Sequence, residues 1–197
     1  MKNKYKSIVI EGPIGVGKTT LATKLSSSLE SKLMLESFSE NPFLEKFYKD
    51  VGKFNKYTKT SKYALATQLY FLLQRVDEFN SKEYQAIKRH NIVSDYFIEK
   101  DKLFAKTILS SDEYLLYNRV HEGLKLDIEK PGLVIYLQTD AQTLISRIKE
   151  RGVKFEGNIT ESYLQKIIDS YTEFFHSYKD SPLLIINTSN VNVNDSH

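Results

Sequence analysis

The feature that most constrains the fold of this chain is a glycine-rich segment near its amino terminus. Residues 12–19 read Gly-Pro-Ile-Gly-Val-Gly-Lys-Thr and fit the pattern G-x-x-x-x-G-K-[ST]. An apolar run at residues 7–10 precedes the segment and a helix-like run at residues 20–25 follows it. We therefore predict a strand, a tight loop and a helix. In such a loop the glycines allow the turns that point several backbone N–H groups inward, at a phosphate chain.

The loop predicts a site for a polyphosphate. Lys18 can reach the outer phosphates, and the hydroxyl of Thr19 can coordinate Mg²⁺. The residues predicted to surround the phosphates are Gly12, Pro13, Ile14, Gly15, Val16, Gly17, Lys18, Thr19 and Thr20. The alternative is a glycine-rich turn that binds nothing. The Lys-Thr pair and the two flanking runs argue against that alternative.

Composition and length limit the classes of protein that the chain can represent. Its 197 residues suffice for one packed α/β domain. The lack of cysteine excludes disulfides, thiolate metal ligands and a cysteine nucleophile, and the four histidines lie too far apart to suggest a zinc site. Because no apolar run has the length of a membrane span, we expect a soluble, cytoplasmic protein without a membrane partner. A net charge of +3 with scattered lysines gives no support to binding of a nucleic acid polymer.

Short apolar runs alternate with longer helical patterns, which is typical of β-α-β units and a parallel sheet. The strand candidates are residues 8–11, 33–36, 91–95, 133–138 and 183–187. The helix candidates are residues 18–31, 41–50, 61–88, 102–109, 112–121, 141–151 and 160–178. We predict an α/β fold, a five-stranded parallel sheet flanked by helices on both faces, in a single domain over residues 1–187. Residues 188–197 are interpreted as a flexible tail.

Polar residues stand at the carboxyl ends of four predicted strands. They are Glu11, Glu36, Asp95 and Asn187. In an open parallel sheet the connecting loops diverge at this end and leave a crevice for ligands. We therefore expect these four residues to face one site.

Two of these strand-end carboxylates are candidates for chemistry. Asp95 ends an apolar strand and suits a direct or water-mediated ligand of Mg²⁺, although a helix N-cap is an alternative. Glu36 ends the second predicted strand, which we expect beside the first strand. There its carboxylate could take a proton from an attacking hydroxyl. By spacing alone, a solvent-facing glutamate at the start of a loop is equally consistent with the sequence.

The long predicted helix carries two lines of residues. An apolar stripe at helical spacing is interpreted as core and consists of Leu65, Leu69, Leu72, Val76 and Phe79. On an adjoining line, Gln68, Phe71 and Arg75 project from one face. An amide, a ring and a guanidinium in a line suit hydrogen bonding and stacking on a heterocyclic base. The pattern by itself favours the plainer alternative of a solvated helix edge.

Arg147 and Arg151 lie one turn apart near the end of a predicted helix. Two guanidinium groups at this spacing could converge on phosphate oxygens and neutralise charge as a phosphoryl group moves. Basic residues at a helix end otherwise complement the helix dipole. The phosphate loop favours the functional interpretation.

Several segments, in order, resemble the deoxynucleoside kinase family, specifically its bacterial deoxyadenosine and deoxyguanosine kinase branch. The resemblance covers residues 7–187 and lies in residues 11–20, 40–48, 68–75, 94–96, 133–137 and 147–152. It implies a P-loop kinase fold with a helical lid at about residues 147–157. It also implies transfer of the γ-phosphate of ATP, with Mg²⁺, to the 5′-hydroxyl of a deoxyribonucleoside, purine preferred, in nucleotide salvage.

The resemblance also assigns roles to single residues. Glu36 matches the general base, and Lys18, Arg147 and Arg151 match the groups that act on the transferred phosphate. The residues that match the nucleoside site are Glu36, Tyr48, Gln68, Phe71, Arg75, Asp95 and Glu156, with Tyr48 and Glu156 at the sugar 3′-hydroxyl. Thr19 and Asp95 match the metal site. By spacing rather than motif, Tyr57 competes with Tyr48.

The chain departs from the family pattern at four places, and one of them is the segment of residues 52–60, which is inserted between Tyr48 and Gln68 and contains the competing Tyr57. Tyr96 stands where the broader family has an arginine after the acidic residue. Val153 replaces an expected lid arginine, which leaves Lys154 as the nearest cation. The last predicted strand is followed by few residues, so adenine contacts near Asn190 are left open.

Two other functions remain open at this point. A nucleoside monophosphate kinase shares the loop and the lid but needs further basic side chains for the phosphate of its acceptor. A non-catalytic nucleotide-binding subunit of a heterodimeric kinase is an alternative of another class.

The resemblance implies a homodimer, for which the apolar faces around residues 104–116 are candidates.

Overall fold

The computed structural model describes residues 5–53, 60–124 and 128–189. Its sheet has five strands, which are β1 (Ser7–Glu11), β2 (Lys32–Met34), β3 (Ile92–Ser94), β4 (Leu133–Gln138) and β5 (Leu183–Asn187). The strands are parallel and lie in the order β2-β3-β1-β4-β5. The predicted five-stranded parallel sheet is therefore confirmed.

Eight α-helices connect the strands within these ranges. They are α1 (Lys18–Ser28), α2 (Leu44–Val51), α3 (Ala64–Asn80), α4 (Lys82–Ile87), α5 (Glu99–Ile108), α6 (Ser111–Gly123), α7 (Ala141–Arg151) and α8 (Glu161–Ser177). Two 3₁₀ helices, Phe38–Glu40 and Lys154–Asn158, lie in the loops after β2 and α7. No helix in the described part of the chain is long and apolar enough to cross a membrane.

The central strands form the core of the molecule. Strand β3 is buried along its whole length. Strand β1 is buried except at its first residue, and β4 is buried except at its first and last residues. A strand that is buried at successive positions is covered on both faces, because successive side chains point to opposite sides of the sheet. The predicted arrangement of helices on both faces is therefore confirmed.

The strand order corrects one prediction. Strand β2 is not beside β1, because β3 lies between them and pairs with both. The apolar pattern could not reveal this, since both arrangements bury the same strands. Glu36 lies two residues beyond the end of β2 rather than on the strand.

The long predicted helix is two helices. Ser81 separates α3 from α4 with an extended backbone, and its hydroxyl accepts a hydrogen bond from the N–H of Tyr84 at 3.0 Å. A serine that caps a new helix in this way ends the previous one. Helix α5 also begins earlier than predicted, at Glu99 rather than Lys102.

The described end of the chain is attached to the sheet. Thr188, placed in the predicted tail, is 2% exposed, and its N–H donates to the carbonyl of Gln138 at 2.8 Å. The rest of the predicted tail, residues 190–197, lies outside the described residues.

Candidate active site

A cleft of about 1120 Å³ opens at the carboxyl ends of the strands. Every residue predicted to bind the nucleotide or the nucleoside lines it, except the buried Pro13. Of the four strand-end residues expected to face one site, Glu36 and Asp95 line the cleft. The other two do not, because Glu11 is fully buried beneath the loop and Asn187 is exposed at the edge strand β5. The lining includes the glycine-rich loop, two strand-end carboxylates, the predicted base-reading line and the lid residues, that is Gly12, Ile14, Gly15, Val16, Gly17, Lys18, Thr19, Thr20, Glu36, Tyr48, Gln68, Phe71, Arg75, Asp95, Arg147, Arg151 and Glu156. The fold thus brings together residues that are far apart in the sequence.

The loop has a backbone that its glycines allow. Gly12, Gly15 and Gly17 have φ values of 151°, 83° and 104°, which other residues rarely adopt. A Cβ atom on Gly12 would lie 2.3 Å from the carbonyl oxygen of Leu137. Gly17 caps the amino terminus of α1, so the unpaired N–H groups of that helix start at the loop. These features make the loop a suitable anion site.

Lys18 lies across the loop. Its Nζ atom donates to the carbonyl oxygens of Gly12 at 2.7 Å and Pro13 at 3.1 Å. Burial and the nearby ammonium of Lys100 lower the pKa of Lys18 to about 8. The ammonium of Lys18 is thus held by two carbonyl oxygens in the loop that it would share with a phosphate.

Thr19 and Asp95 meet at the floor of the cleft. The hydroxyl of Thr19 donates to Oδ2 of Asp95 at 2.5 Å, and Oδ1 accepts from the N–H of Glu36 at 2.8 Å. Asp95 is not a helix N-cap, because Ile98 holds that position at the start of α5. Two adjacent hard oxygen donors fit Mg²⁺, which binds through one or two protein groups together with phosphates and water. No cluster of three acidic, histidine or cysteine side chains is found in the described ranges.

Glu36 is held by two cations. The Nη2 atom of Arg75 donates to Oε1 of Glu36, and the Nζ atom of Lys100 donates to Oε2 at 2.6 Å. Burial alone would raise the pKa of Glu36, but the positive charges of Lys100 and Arg75 outweigh burial and hold the pKa well below its usual range. Glu36 is therefore an ionised carboxylate with a fixed orientation.

The predicted base-reading line is buried rather than solvated. Gln68 is 4% exposed and Arg75 is 3% exposed, and both line the cleft with Phe71. Of the predicted apolar stripe, Leu72 is fully buried, while Leu65 and Leu69 are partly buried. The alternative of a solvated helix edge is therefore wrong, because α3 turns its polar line toward the cleft.

Arg75 has a second carboxylate partner that the sequence did not suggest. Its Nε atom donates to Oδ2 of Asp101 at 2.8 Å, and its guanidinium lies 4.4 Å from the ring centroid of Tyr96. The ring of Tyr96 thus packs against the guanidinium of Arg75. The guanidinium of Arg75 bridges Glu36 and Asp101.

Tyr48 and Glu156 lie on neighbouring walls of the cleft. Tyr48 is 7% exposed and its ring stacks on Phe155 at 6.2 Å. Glu156, 1% exposed, accepts a hydrogen bond from Nη2 of Arg151 at 2.6 Å. Burial and the charge of Glu156 raise the pKa of Tyr48, so its hydroxyl stays a donor. The competing Tyr57 lies outside the described residues.

The second lid arginine connects three segments. Arg147 donates to the hydroxyl of Thr188 at 3.1 Å, to its carbonyl at 2.7 Å and to the carbonyl of Val16 at 3.4 Å. It therefore lies directly over the glycine-rich loop. Lys154, the substitute cation expected beside Val153, is exposed, and the cleft lining does not include it. Asn190 lies outside the described residues.

Helix α5 supplies site residues that sequence reasoning missed. Lys100, Asp101 and Phe104 line the cleft. The predicted helix began at Lys102, so the first two of these residues fell in a loop. The signal was the run of alternating charges at residues 99–102, which follows the strand-end Asp95 closely enough to lie on the same edge of the sheet.

Comparison with known proteins gives consistent matches over most of the chain. The deoxynucleoside kinase family profile matches residues 8–197. The chain is 34% identical to a deoxyguanosine kinase of Bacillus subtilis (strain 168) over 170 residues, which cover 86% of this chain and 78% of the relative. It is 31% identical to a deoxyadenosine kinase of Lactobacillus acidophilus (strain ATCC 700396 / NCK56 / N2 / NCFM) over 194 residues, which cover 91% of this chain and 84% of the relative.

The fold is also similar to solved structures. A deoxyadenosine kinase from M. mycoides with the products dCMP and a flexible dCDP bound has a TM-score of 0.77 and 27% identity, covering 95% of this chain and 92% of that one. The same kinase with bound dATP has a TM-score of 0.75 and 29% identity, covering 91% and 89%.

Proposed function

The chain belongs to the deoxynucleoside kinase family and is an ATP-dependent kinase of nucleotide salvage, and we propose that its acceptor is a purine deoxyribonucleoside. The observation that carries the proposal is the position of Glu36. Its carboxylate is fixed in the same cleft as the phosphate loop, and its backbone is bonded to Asp95, which in turn touches Thr19. A base for a hydroxyl and a site for a phosphate donor are thus adjacent.

The donor half consists of the loop, α1 and α7. Backbone N–H groups of residues 14–18 bind the phosphates of ATP, and Lys18 exchanges the carbonyls of Gly12 and Pro13 for phosphate oxygens. Arg147 is close enough to Val16 to reach a phosphate above the loop. Arg151 reaches the phosphate once its hydrogen bond to Glu156 breaks. The guanidinium groups of Arg147 and Arg151 then neutralise the charge that moves during transfer.

Thr19 and Asp95 would hold Mg²⁺ by their oxygen atoms. When bound, the ion supplies positive charge that neutralises the phosphate oxygens of the nucleotide. Asp95 also fixes the backbone of Glu36 at 2.8 Å, so the metal and the base share one support.

In the acceptor half, Glu36 accepts the proton of the 5′-hydroxyl while the hydroxyl oxygen attacks the γ-phosphorus. Tyr48 and Glu156 hold the 3′-hydroxyl, since a phenol can donate and a carboxylate can accept at one hydroxyl. Gln68 hydrogen-bonds to the edge of the base, and Phe71 lies against it. The purine preference rests on the relatives that are deoxyguanosine and deoxyadenosine kinases.

A monophosphate kinase is the alternative that shares most of these parts. It would need uncompensated positive charge for the phosphate of the acceptor. In the described lining of the acceptor half, the positive charges of Arg75 and Lys100 are compensated by Glu36 and Asp101. A carboxylate beside the reacting oxygen would also repel an anionic acceptor. Both arguments favour a neutral hydroxyl.

The experiment that tests the proposal is a phosphorylation panel. The purified chain is supplied with ATP, Mg²⁺ and each of the four natural deoxynucleosides, and with deoxyadenosine monophosphate as the anionic acceptor. We expect a kcat/KM at least tenfold higher for deoxyadenosine or deoxyguanosine than for either pyrimidine. Preference for a pyrimidine would overturn the purine assignment, and turnover of the monophosphate alone would overturn the assignment of the acceptor class.

The proposal includes an assembly and a location. Helix α6 exposes Leu115 and Leu116, and α3, which packs against α6, exposes Leu73. Apolar side chains exposed on adjoining helices suit a homodimer, in which a second copy covers them. Because the substrates belong to the nucleotide pool, we place the enzyme in the cytoplasm, with residues 1–187 as one catalytic domain.

A further inference from the structure

Lys100 is a largely buried cation in the acceptor half, and the sequence did not indicate its role. It lies in the first turn of α5, lines the cleft, and has a side chain that is 13% exposed. Its Nζ atom donates to Oε2 of Glu36 at 2.6 Å and lies 5.7 Å from the ring centroid of Phe104. An ammonium in such a position loses hydration, and the carboxylate of Glu36 compensates for that loss.

The two cations on Glu36 differ in how they are held. Arg75 is fixed from several sides, since it also bonds to Asp101 and lies against the ring of Tyr96. Arg75 and Asp101 thereby connect the loop after β2 to α5. A purely structural link between these segments therefore exists without Lys100. What Lys100 adds is a second, separate contact to the other oxygen of the same carboxylate.

The charges of this group change during the proposed reaction. Two cations, Arg75 and Lys100, balance two anions, Glu36 and Asp101. When the O–H bond breaks, its proton goes to Glu36 and the hydroxyl oxygen bonds to the γ-phosphorus. The bond between that phosphorus and ADP breaks, and its electron pair stays on the ADP oxygen. Glu36 then becomes neutral, and the group gains one net positive charge next to the reacting oxygen. This positive charge, no longer compensated by Glu36, stabilises the negatively charged phosphoryl group during transfer.

We propose that Lys100 is a positioning residue of the phosphoryl transfer, which fixes Oε2 of Glu36 and whose positive charge is required for turnover. This inference rests on the proposed role of Glu36 as the proton acceptor. It predicts that a neutral side chain at position 100 lowers kcat and leaves the KM for ATP nearly unchanged.

The lack of cysteine in the chain allows a direct test of the charge. Lys100→Cys introduces a unique thiol that lines the cleft. Alkylation with 2-bromoethylamine then rebuilds a side chain of lysine length with an ammonium, whereas iodoacetamide gives a neutral adduct. We expect unmodified Lys100→Cys to lose roughly 10- to 100-fold in kcat, with the KM for ATP within about threefold. The aminoethyl adduct should regain most of that loss, and the neutral adduct should not.

Three controls make each outcome decisive. Lys106→Cys carries the same chemistry at an exposed position of α5 and should stay fully active before and after alkylation. If Lys100→Cys folds poorly, both adducts are made in denaturant and compared after refolding. Glu36→Gln separates this inference from the proposed function. If that variant turns over near the unsubstituted rate, Glu36 is not the proton acceptor and the proposed function itself fails. If Glu36→Gln is inactive, then an active Lys100→Cys, or equal activity of the two adducts, overturns the role of Lys100.

Discussion

Glu36 is the single side chain on which the proposed chemistry depends. Glu36→Gln keeps the shape of the side chain but removes its ability to take a proton. We expect kcat to fall by roughly two orders of magnitude or more, while the Kd for the nucleoside stays within a few-fold. Steady-state kinetics together with calorimetric titration of the nucleoside measure the two quantities.

A matched control is Glu40→Gln. Glu40 lies in the same loop, is exposed, and accepts a hydrogen bond from Gln74 at 3.1 Å. This substitution should leave kcat unchanged. If both variants kept normal turnover, Glu36 would not be the base.

Gly12 is the residue of the loop at which a side chain has least room. In Gly12→Ala the new Cβ would lie 2.3 Å from the carbonyl oxygen of Leu137, a backbone atom that cannot rotate away. We expect a loss of about 2 to 4 kcal/mol in the free energy of unfolding and loss of ATP binding. Denaturant unfolding and nucleotide titration test these two expectations.

Gly123→Ala provides the comparison, because a Cβ at that position meets nothing within 4 Å. Its free energy of unfolding should change by less than about 1 kcal/mol. Equal effects of the two substitutions would contradict a steric origin at Gly12.

Helix α5 is the element whose start most affects the site, since Lys100 and Asp101 lie in its first turn. The preceding residue, Glu99, has a buried Oε2 atom without a hydrogen-bond partner among the described residues. Burial, together with the negative charges of Asp180, Glu11 and Asp101, raises the pKa of Glu99 to about 7. The fold therefore favours the protonated form of this carboxyl.

The sign of the resulting pH dependence follows from that shift. Because the folded state binds the proton of Glu99 more tightly than the unfolded chain, the contribution to stability is full below the ordinary pKa. It is lost as pH rises to about 7. Glu99→Gln removes this loss. We expect the variant and the unsubstituted protein to have similar stability near pH 4.5. At pH 8 we expect the variant to be more stable by up to about 3 kcal/mol.

Thermal melts of both proteins at the two pH values measure this difference. Glu122→Gln, at an exposed position of α6, serves as the reference substitution. A stability gain from Glu99→Gln that is the same at both pH values would show that the titration of Glu99 is not the cause.

At the scale of the whole molecule, the exposed leucines of α6 predict the assembly. Leu115 is 67% exposed and Leu116 is 49% exposed, next to the fully buried Tyr117. If a second copy covers them, Leu116→Glu should convert a particle with the mass of two chains into one with the mass of a single chain. Light scattering after size-exclusion chromatography measures both masses. Arg119→Glu, exposed on the same helix, should not change the mass. A monomeric unsubstituted protein would contradict the predicted dimer.

Much of the fold and half of the site can be predicted from the sequence. The glycine-rich loop is a local pattern, because its chemistry is carried by consecutive residues and by the strand and helix that flank it. The five strands are also predictable, since apolar runs with polar ends are local signals. The order of the strands is not, because the pairing of β3 with both β1 and β2 joins segments that no local pattern connects.

The contacts in the acceptor half cannot be predicted from local sequence patterns. Glu36 and Lys100 are 64 positions apart, yet they share a hydrogen bond of 2.6 Å. Gln68 and Arg75 have the spacing of an exposed helix edge, yet both are buried. Helix α3 turns them toward the cleft, where Arg75 pairs with Asp101 of α5.

The sequence by itself therefore determined the parallel sheet and the glycine-rich loop on which the predicted phosphate site depends. A parallel sheet also places the strand-end carboxylates at one edge, since the carboxyl ends of parallel strands lie on the same side. Only the tertiary structure decided which charges surround Glu36. The physical reason is that a buried charge needs partners from any segment that can reach it, and packing selects that segment.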